Sequence, residues 1–206
     1  MSKNHIDSRM FLYWNLGNVL GWAFILALRS VLPGVRSVPG FFVALLVVAI
    51  PFGLAQWLVL RRFIPVSPLW VATIPISWFL FYFIAYTIPE SLWQRADDEA
   101  ISTLTFGYLV LGAVMGLLQW LILRRKLRRA ALWILGSSLG VGLGFGVVLA
   151  TGLISQYEYF SYTIVVLVYS VATGSLLSWL LNHKAQNYDQ QFSATHTVFS
   201  ERHQNL

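Results

Sequence analysis

Six stretches of about 20 apolar residues, the length a helix needs to cross a bilayer core, constrain this chain more than any other feature. They run over residues 11–31, 39–60, 69–88, 102–123, 131–153 and 160–182, each flanked by charge, proline or polar residues. Backbone N–H and C=O groups find no water in hydrocarbon, so a segment of this length satisfies them internally as a helix. The expected fold class is therefore an all-α integral membrane protein with six transmembrane helices. Composition agrees, because 11% of residues are charged and the mean hydropathy is +0.67, against about 25% charged in soluble domains. Lys3 and Arg9 ahead of the first run resemble a signal peptide, yet "RSVLPGVRS" after it holds no small-x-small cleavage site. A retained first span is expected.

An even number of crossings puts both termini on one side. The N-terminus, the loops after the second and fourth runs and the C-terminal tail hold 11 of 14 basic residues: Lys3, Arg9, Arg61, Arg62, Arg124, Arg125, Lys126, Arg128, Arg129, Lys184 and Arg202. The other side holds Arg29, Arg36 and Arg95 with most of the acids, Glu90, Asp97, Asp98, Glu99 and Glu158. The positive-inside rule then gives a multi-pass membrane protein with cytoplasmic N- and C-termini. Residues 1–184 form the transmembrane domain, and the polar tail over 185–206, "AQNYDQQFSATHTVFSERHQNL", shows no helical periodicity and is expected to be flexible. The net charge of +6 falls in short runs between apolar segments, so membrane lipids and not nucleic acid are the expected partners. The absence of cysteine excludes disulfides, thiolate metal sites and a Cys nucleophile.

The chain also repeats itself. "GLAQWLVLRR" at 53–62 returns as "GLLQWLILRR" at 116–125, eight letters of ten matching at an offset of 63, and Leu69-Trp70 returns as Leu132-Trp133 at the same offset. A weaker third copy, "SLLSWLLNHK" at 175–184, aligns on its tryptophan with Ser178 in place of glutamine and His183-Lys184 in place of the arginines. Trp14 and Trp22 share the spacing of Trp70 and Trp78. Three helical hairpin repeats, about 11–62, 69–125 and 131–184, are expected, with approximate threefold symmetry about the membrane normal.

On a helix Gly53, Trp57 and Arg61 share a face, as do Gly116, Trp120 and Arg124. The glycines, preceded by Ala49 and Gly112, form ridges that let backbones approach closely; Gly17/Gly21 and Gly136/Gly140/Gly144 extend the device. Trp57 and Trp120 read as interface anchors with their indole N–H groups in water, and Arg61, Arg62, Arg124 and Arg125 as headgroup contacts that close the helices. Gln56 and Gln119 lie one turn inside the hydrocarbon and need partners, either as an interhelical clamp or as a contact to substrate or lipid. With Asn15 and Asn18 they form a candidate polar layer.

Chemistry-bearing constellations are missing. No ionisable group stands in the middle of a span, as proton coupling would require. His5, His183, His196 and His203 are terminal or interfacial, "DDEA" at 97–100 lacks the glycine turn and distal Glu of a Ca²⁺ loop, and no P-loop, G-x-S-x-G or H-E-x-x-H occurs. No cofactor, metal or catalytic residue is assigned. Arg29 is expected to snorkel to the surface, and Pro51 and Pro75 to kink the second and third spans.

The repeated G-x-x-Q-W-L-x-L-R-R followed by Leu-Trp resembles a group of uncharacterised bacterial multi-pass membrane proteins, frequent in cyanobacteria, that carry copies of this string. The resemblance covers most of residues 11–184, is strongest in the second and fourth spans and fails at the third copy. It implies a helical membrane fold and supplies no catalytic residue. The functional expectation is a non-enzymatic scaffold or accessory subunit of a membrane assembly, as a homo-oligomer or with a membrane protein partner. The alternative is a transporter or binding component for a neutral or amphipathic small solute or lipid. An interfacial enzyme and a sensory role for the tail stand behind these.

Overall fold

A computed structural model describes the backbone of residues 4–31, 38–87, 100–153 and 158–204, and the side chains of 8–27, 46–47, 49–83, 104–153 and 160–183. Six helices and no strand occur among the described residues: α1 (Asn4–Val31), α2 (Val38–Leu60), α3 (Trp70–Thr87), α4 (Ala100–Leu123), α5 (Leu132–Ala150) and α6 (Glu158–Gln204). Each of the six apolar runs falls on one helix. Four described segments are long and apolar enough to cross a membrane, Ser8–Ala27, Leu104–Leu123, Leu132–Ala150 and Phe160–His183, while Ala49–Leu60 and Trp70–Phe83 are shorter apolar segments. The described part of the molecule is thus all-helical, with four helices long and apolar enough to cross a membrane.

Consecutive helices pack side by side, and α1 also packs on α6, so the six close into a ring. Apolar residues also lie on the outside of this ring: Leu12, Leu16 and Leu20 on α1 and Leu135, Leu139 and Leu143 on α5 are exposed. An outward leucine surface suits lipid as solvent. Inside, where lipid gives helices no hydrophobic reason to associate, close backbone approach takes over. A methyl group on Gly116 would meet Ile134 Cα at 2.8 Å, and one on Gly53 would meet Val71 Cα at 3.1 Å, so both glycines are held by the neighbouring helix backbone. Val71 and Ile134 are themselves 63 positions apart. Pro75 lies inside α3 and has no N–H to donate to the Val71 carbonyl four residues earlier, and that carbonyl is the group Gly53 abuts.

The loops after α2 and α4 fold alike. Ile64 N–H donates to Leu60 O (3.0 Å) and Leu127 N–H to Leu123 O (2.9 Å); Trp70 N–H donates to Ser67 O (3.1 Å) and Trp133 N–H to Ala130 O (2.9 Å). Helix α5 stops at Thr151-Gly152, where Gly152 takes a φ of 65° that a residue with a side chain rarely adopts.

The tail corrects an expectation. Helix α6 does not stop near residue 184 but continues to Gln204, so the segment read as lacking helical periodicity is helical. After Gly174 the sequence holds neither glycine nor proline. Leu181, Ala185, Tyr188 and Phe192 stand at alternating spacings of four and three, and Phe199 falls seven positions beyond Phe192. With no breaker, a helix nucleated in the apolar run propagates at little cost through Ala, Gln and Glu. Arg36, Arg95 and Asp97 to Glu99 lie outside the described residues, as do the side chains of Arg29, His5, His196 and His203.

Candidate functional site

The polar layer assembles around three tryptophans. Trp14 on α1, Trp70 on α3 and Trp133 on α5 are fully buried, and their ring centroids lie 6.4 Å (Trp14–Trp70), 5.7 Å (Trp14–Trp133) and 6.0 Å (Trp70–Trp133) apart. Helices α1, α3 and α5 therefore each send one indole to a common centre. Indole N–H is a donor with no acceptor capacity, so each ring needs a buried acceptor. Trp70 Nε1 donates to Gln56 Oε1 at 3.2 Å, and Trp133 Nε1 donates to Gln119 Oε1 at 2.8 Å, two equivalent bonds each spanning 14 residues. Trp14 Nε1 donates to Thr173 Oγ1 on α6 at 2.9 Å. Helix α2 thus supplies the acceptor for α3 and α4 for α5, and α6 returns to α1.

The amides then join one another. Asn18 Nδ2 donates to Trp14 O (2.8 Å), which turns Asn18 Oδ1 toward Gln56 Nε2 (2.8 Å). Gln119 Nε2 donates to Gln56 Oε1 (3.4 Å) and to Thr73 Oγ1 (3.3 Å), and Thr73 Oγ1 donates to Trp70 O (2.7 Å). The donor-only indoles dictate which end of each amide is oxygen. Asn18, Gln56 and Gln119 have no exposed surface. In lipid each such bond contributes roughly 0.6–1.7 kcal/mol, whereas an amide left unpaired costs about 1–3 kcal/mol. The arrangement is a closed clamp linking α1, α2, α3, α4 and α5.

Asn15 stands apart from this layer. Its Nδ2 donates to Phe11 O (2.8 Å) and its Oδ1 accepts from Ser170 Oγ (2.8 Å), so it pairs α1 with α6. Residues three apart on a helix differ by about 60° around its axis, and that offset aims Asn15 at α6 and Asn18 at α2. Two buried hydroxyls beside the clamp, Ser137 Oγ and Tyr169 Oη, have no hydrogen-bond partner of proper geometry.

The interface residues are placed differently from expectation in one respect. Trp57 is half-buried, and its Nε1 donates to Val66 O in its own loop at 3.4 Å, where an indole N–H in water was expected. The adjacent loop folds back over the ring and takes the bond. Arg61, Arg62, Arg124 and Arg125 are exposed, with Arg61 4.6 Å over the Trp57 ring and Arg124 5.2 Å over the Trp120 ring. In the third copy His183 sits 4.0 Å from the Trp179 ring at the same spacing of four. One turn deeper that copy departs from the alignment on tryptophan. Ser175, set opposite Gly53, is exposed, while Gly174 packs on α1 and Thr173 takes the acceptor role.

The sequence reading missed the tryptophan triad. The signal was present, since Trp14, Trp70 and Trp133 occupy matching positions, but matching positions do not say that side chains meet on an axis. No protein-family model, curated protein or solved structure matches the chain.

Proposed function

We propose that the protein is a non-enzymatic, multi-pass component of the bacterial plasma membrane that acts as a scaffold or accessory subunit of a membrane assembly. Its six helices cross as three hairpins about a pseudo-threefold axis, with both termini cytoplasmic. The resemblance to the bacterial group with repeated G-x-x-Q-W-L-x-L-R-R strings belongs to the same reading.

One observation carries it. Asn18, Gln56 and Gln119, read from the sequence as either an interhelical clamp or a contact to substrate or lipid, bond to indoles and to one another within the bundle. Their hydrogen-bonding capacity is spent on holding helices together. The reading predicts a stoichiometric partner or a homo-oligomer after extraction in mild detergent; a clean monomer argues against it. Topology is testable directly because the chain has no cysteine. A single cysteine placed at Lys126 should resist an impermeant thiol reagent in intact cells, and one placed at Asp98 should react.

The transporter reading is favoured by a different observation: the buried Ser137 and Tyr169 hydroxyls, close to Gln56 and Gln119, make no well-aligned hydrogen bond. It requires proteoliposome flux of a neutral solute or lipid that the Tyr169→Phe variant loses.

A further inference from the structure

The basic end of the bundle carries charge that the described structure does not neutralise. Met10, Leu60, Ile64, Leu123, Leu127 and Leu180 share one buried cluster, which places the start of α1, the α2–α3 and α4–α5 loops and the later part of α6 at the same end. Arg9, Arg61, Arg62, Arg124, Arg125 and Arg129 are exposed there, together with Lys126 and Arg128. Among the described side chains none is Asp or Glu. Such a crowd of cations repels itself and draws anions.

Four guanidinium groups are also held in place. Arg61 lies over Trp57, Arg124 over Trp120, Arg62 over Tyr13 (5.7 Å) and Arg129 over Trp179 (5.6 Å), so aromatic rings from α1, α2, α4 and α6 seat them around the end of the ring. A guanidinium lying on a ring face keeps its N–H edges outward, and those edges match phosphate oxygens bidentately. Tryptophan and tyrosine rings at this level favour the boundary between hydrocarbon and headgroups. We infer that this end is a docking surface for anionic phospholipid headgroups, with the aromatic-seated arginines gripping the phosphates. The inference rests on the membrane-spanning reading above and goes beyond it by naming a lipid class.

The test uses the full chain reconstituted in vesicles of equal phosphatidylglycerol and phosphatidylcholine, with lipids retained after mild delipidation read by native mass spectrometry. Wild type should retain phosphatidylglycerol over phosphatidylcholine by about tenfold or more, since each cation near a headgroup surface is worth about fivefold. The variant Arg61→Gln/Arg62→Gln/Arg124→Gln/Arg125→Gln should fall to near parity, and the matching Arg→Lys variant should keep part of the preference. Should the quadruple glutamine variant fail to fold, Lys126→Gln/Arg128→Gln in the exposed α4–α5 loop should still lower the enrichment several-fold. Equal retention of both lipids by wild type overturns the proposal, as does full displacement of phosphatidylglycerol by millimolar inorganic phosphate, which would mark a free-anion site. Release of the chain from vesicles by alkaline carbonate would instead overturn the membrane-spanning reading itself.

Discussion

The two ends of the bundle differ in proportion: hydrogen-bonded indoles dominate one, while at the other, where Trp22 Nε1 also donates to Thr163 Oγ1 (3.0 Å), stacked rings dominate. At the basic end Trp14, Trp70 and Trp133 are each fixed by a hydrogen bond to a named acceptor on a neighbouring helix. At the other end Tyr108 and Phe145 stack in parallel with centroids 3.4 Å apart, Phe145 meets Tyr162 edge-on at 5.9 Å, and Phe81 flanks Tyr108 at 5.8 Å. Stacked rings tolerate sliding, whereas an amide bonded to an indole fixes both axial register and rotation. The sequence repeat tracks this difference. It is nearly letter-perfect where the contacts are directional, and it fades where packing is not, as where Val141 stands at the position matching Trp78.

Substitutions that keep volume but remove a polar atom should therefore separate the two ends. The largest effect is expected for Trp133→Ala, which opens a cavity and strands the Gln119 carbonyl; a loss of about 4 kcal/mol in detergent unfolding is expected. Gln119→Leu keeps the bulk but leaves the Trp133 N–H and the Thr73 hydroxyl short of a partner, for about 2 kcal/mol. At the other end Phe145→Leu should cost less than about 1.5 kcal/mol if nearby rings close up. If Phe145→Leu destabilises more than Gln119→Leu, the contrast between the ends is wrong. Smallest of all, Arg61→Gln removes only an exposed cation over Trp57 and should change stability by about 0.5 kcal/mol.

Much of this was legible in the residues. Apolar length located all six helices, and the incongruity of Asn18, Gln56 and Gln119 in apolar runs marked the clamp. What was not legible depended on three-dimensional rotation. Asn15 could not be told from Asn18 by composition, and only the direction each faces assigns it to α6. The third copy misled because its tryptophan matches at the surface, where Trp179 pairs with His183, while the buried contact has moved to Thr173 and Gly174. The helix of the tail was missed because its spaced Tyr188, Phe192 and Phe199 were not read as periodic, when the absence of a helix breaker was the stronger signal.

The central claim is that buried amide–indole bonds, rather than packing alone, lock the basic end. A double-mutant cycle of Gln119→Leu and Trp133→Phe tests it, because each single change orphans the other partner of the 2.8 Å bond and the double change orphans neither. The double variant should be more stable than the sum of the single losses predicts by about 1 kcal/mol or more, while Gln119→Leu combined with Trp22→Phe should add. Additivity of Gln119→Leu and Trp133→Phe within about 0.5 kcal/mol would contradict the account.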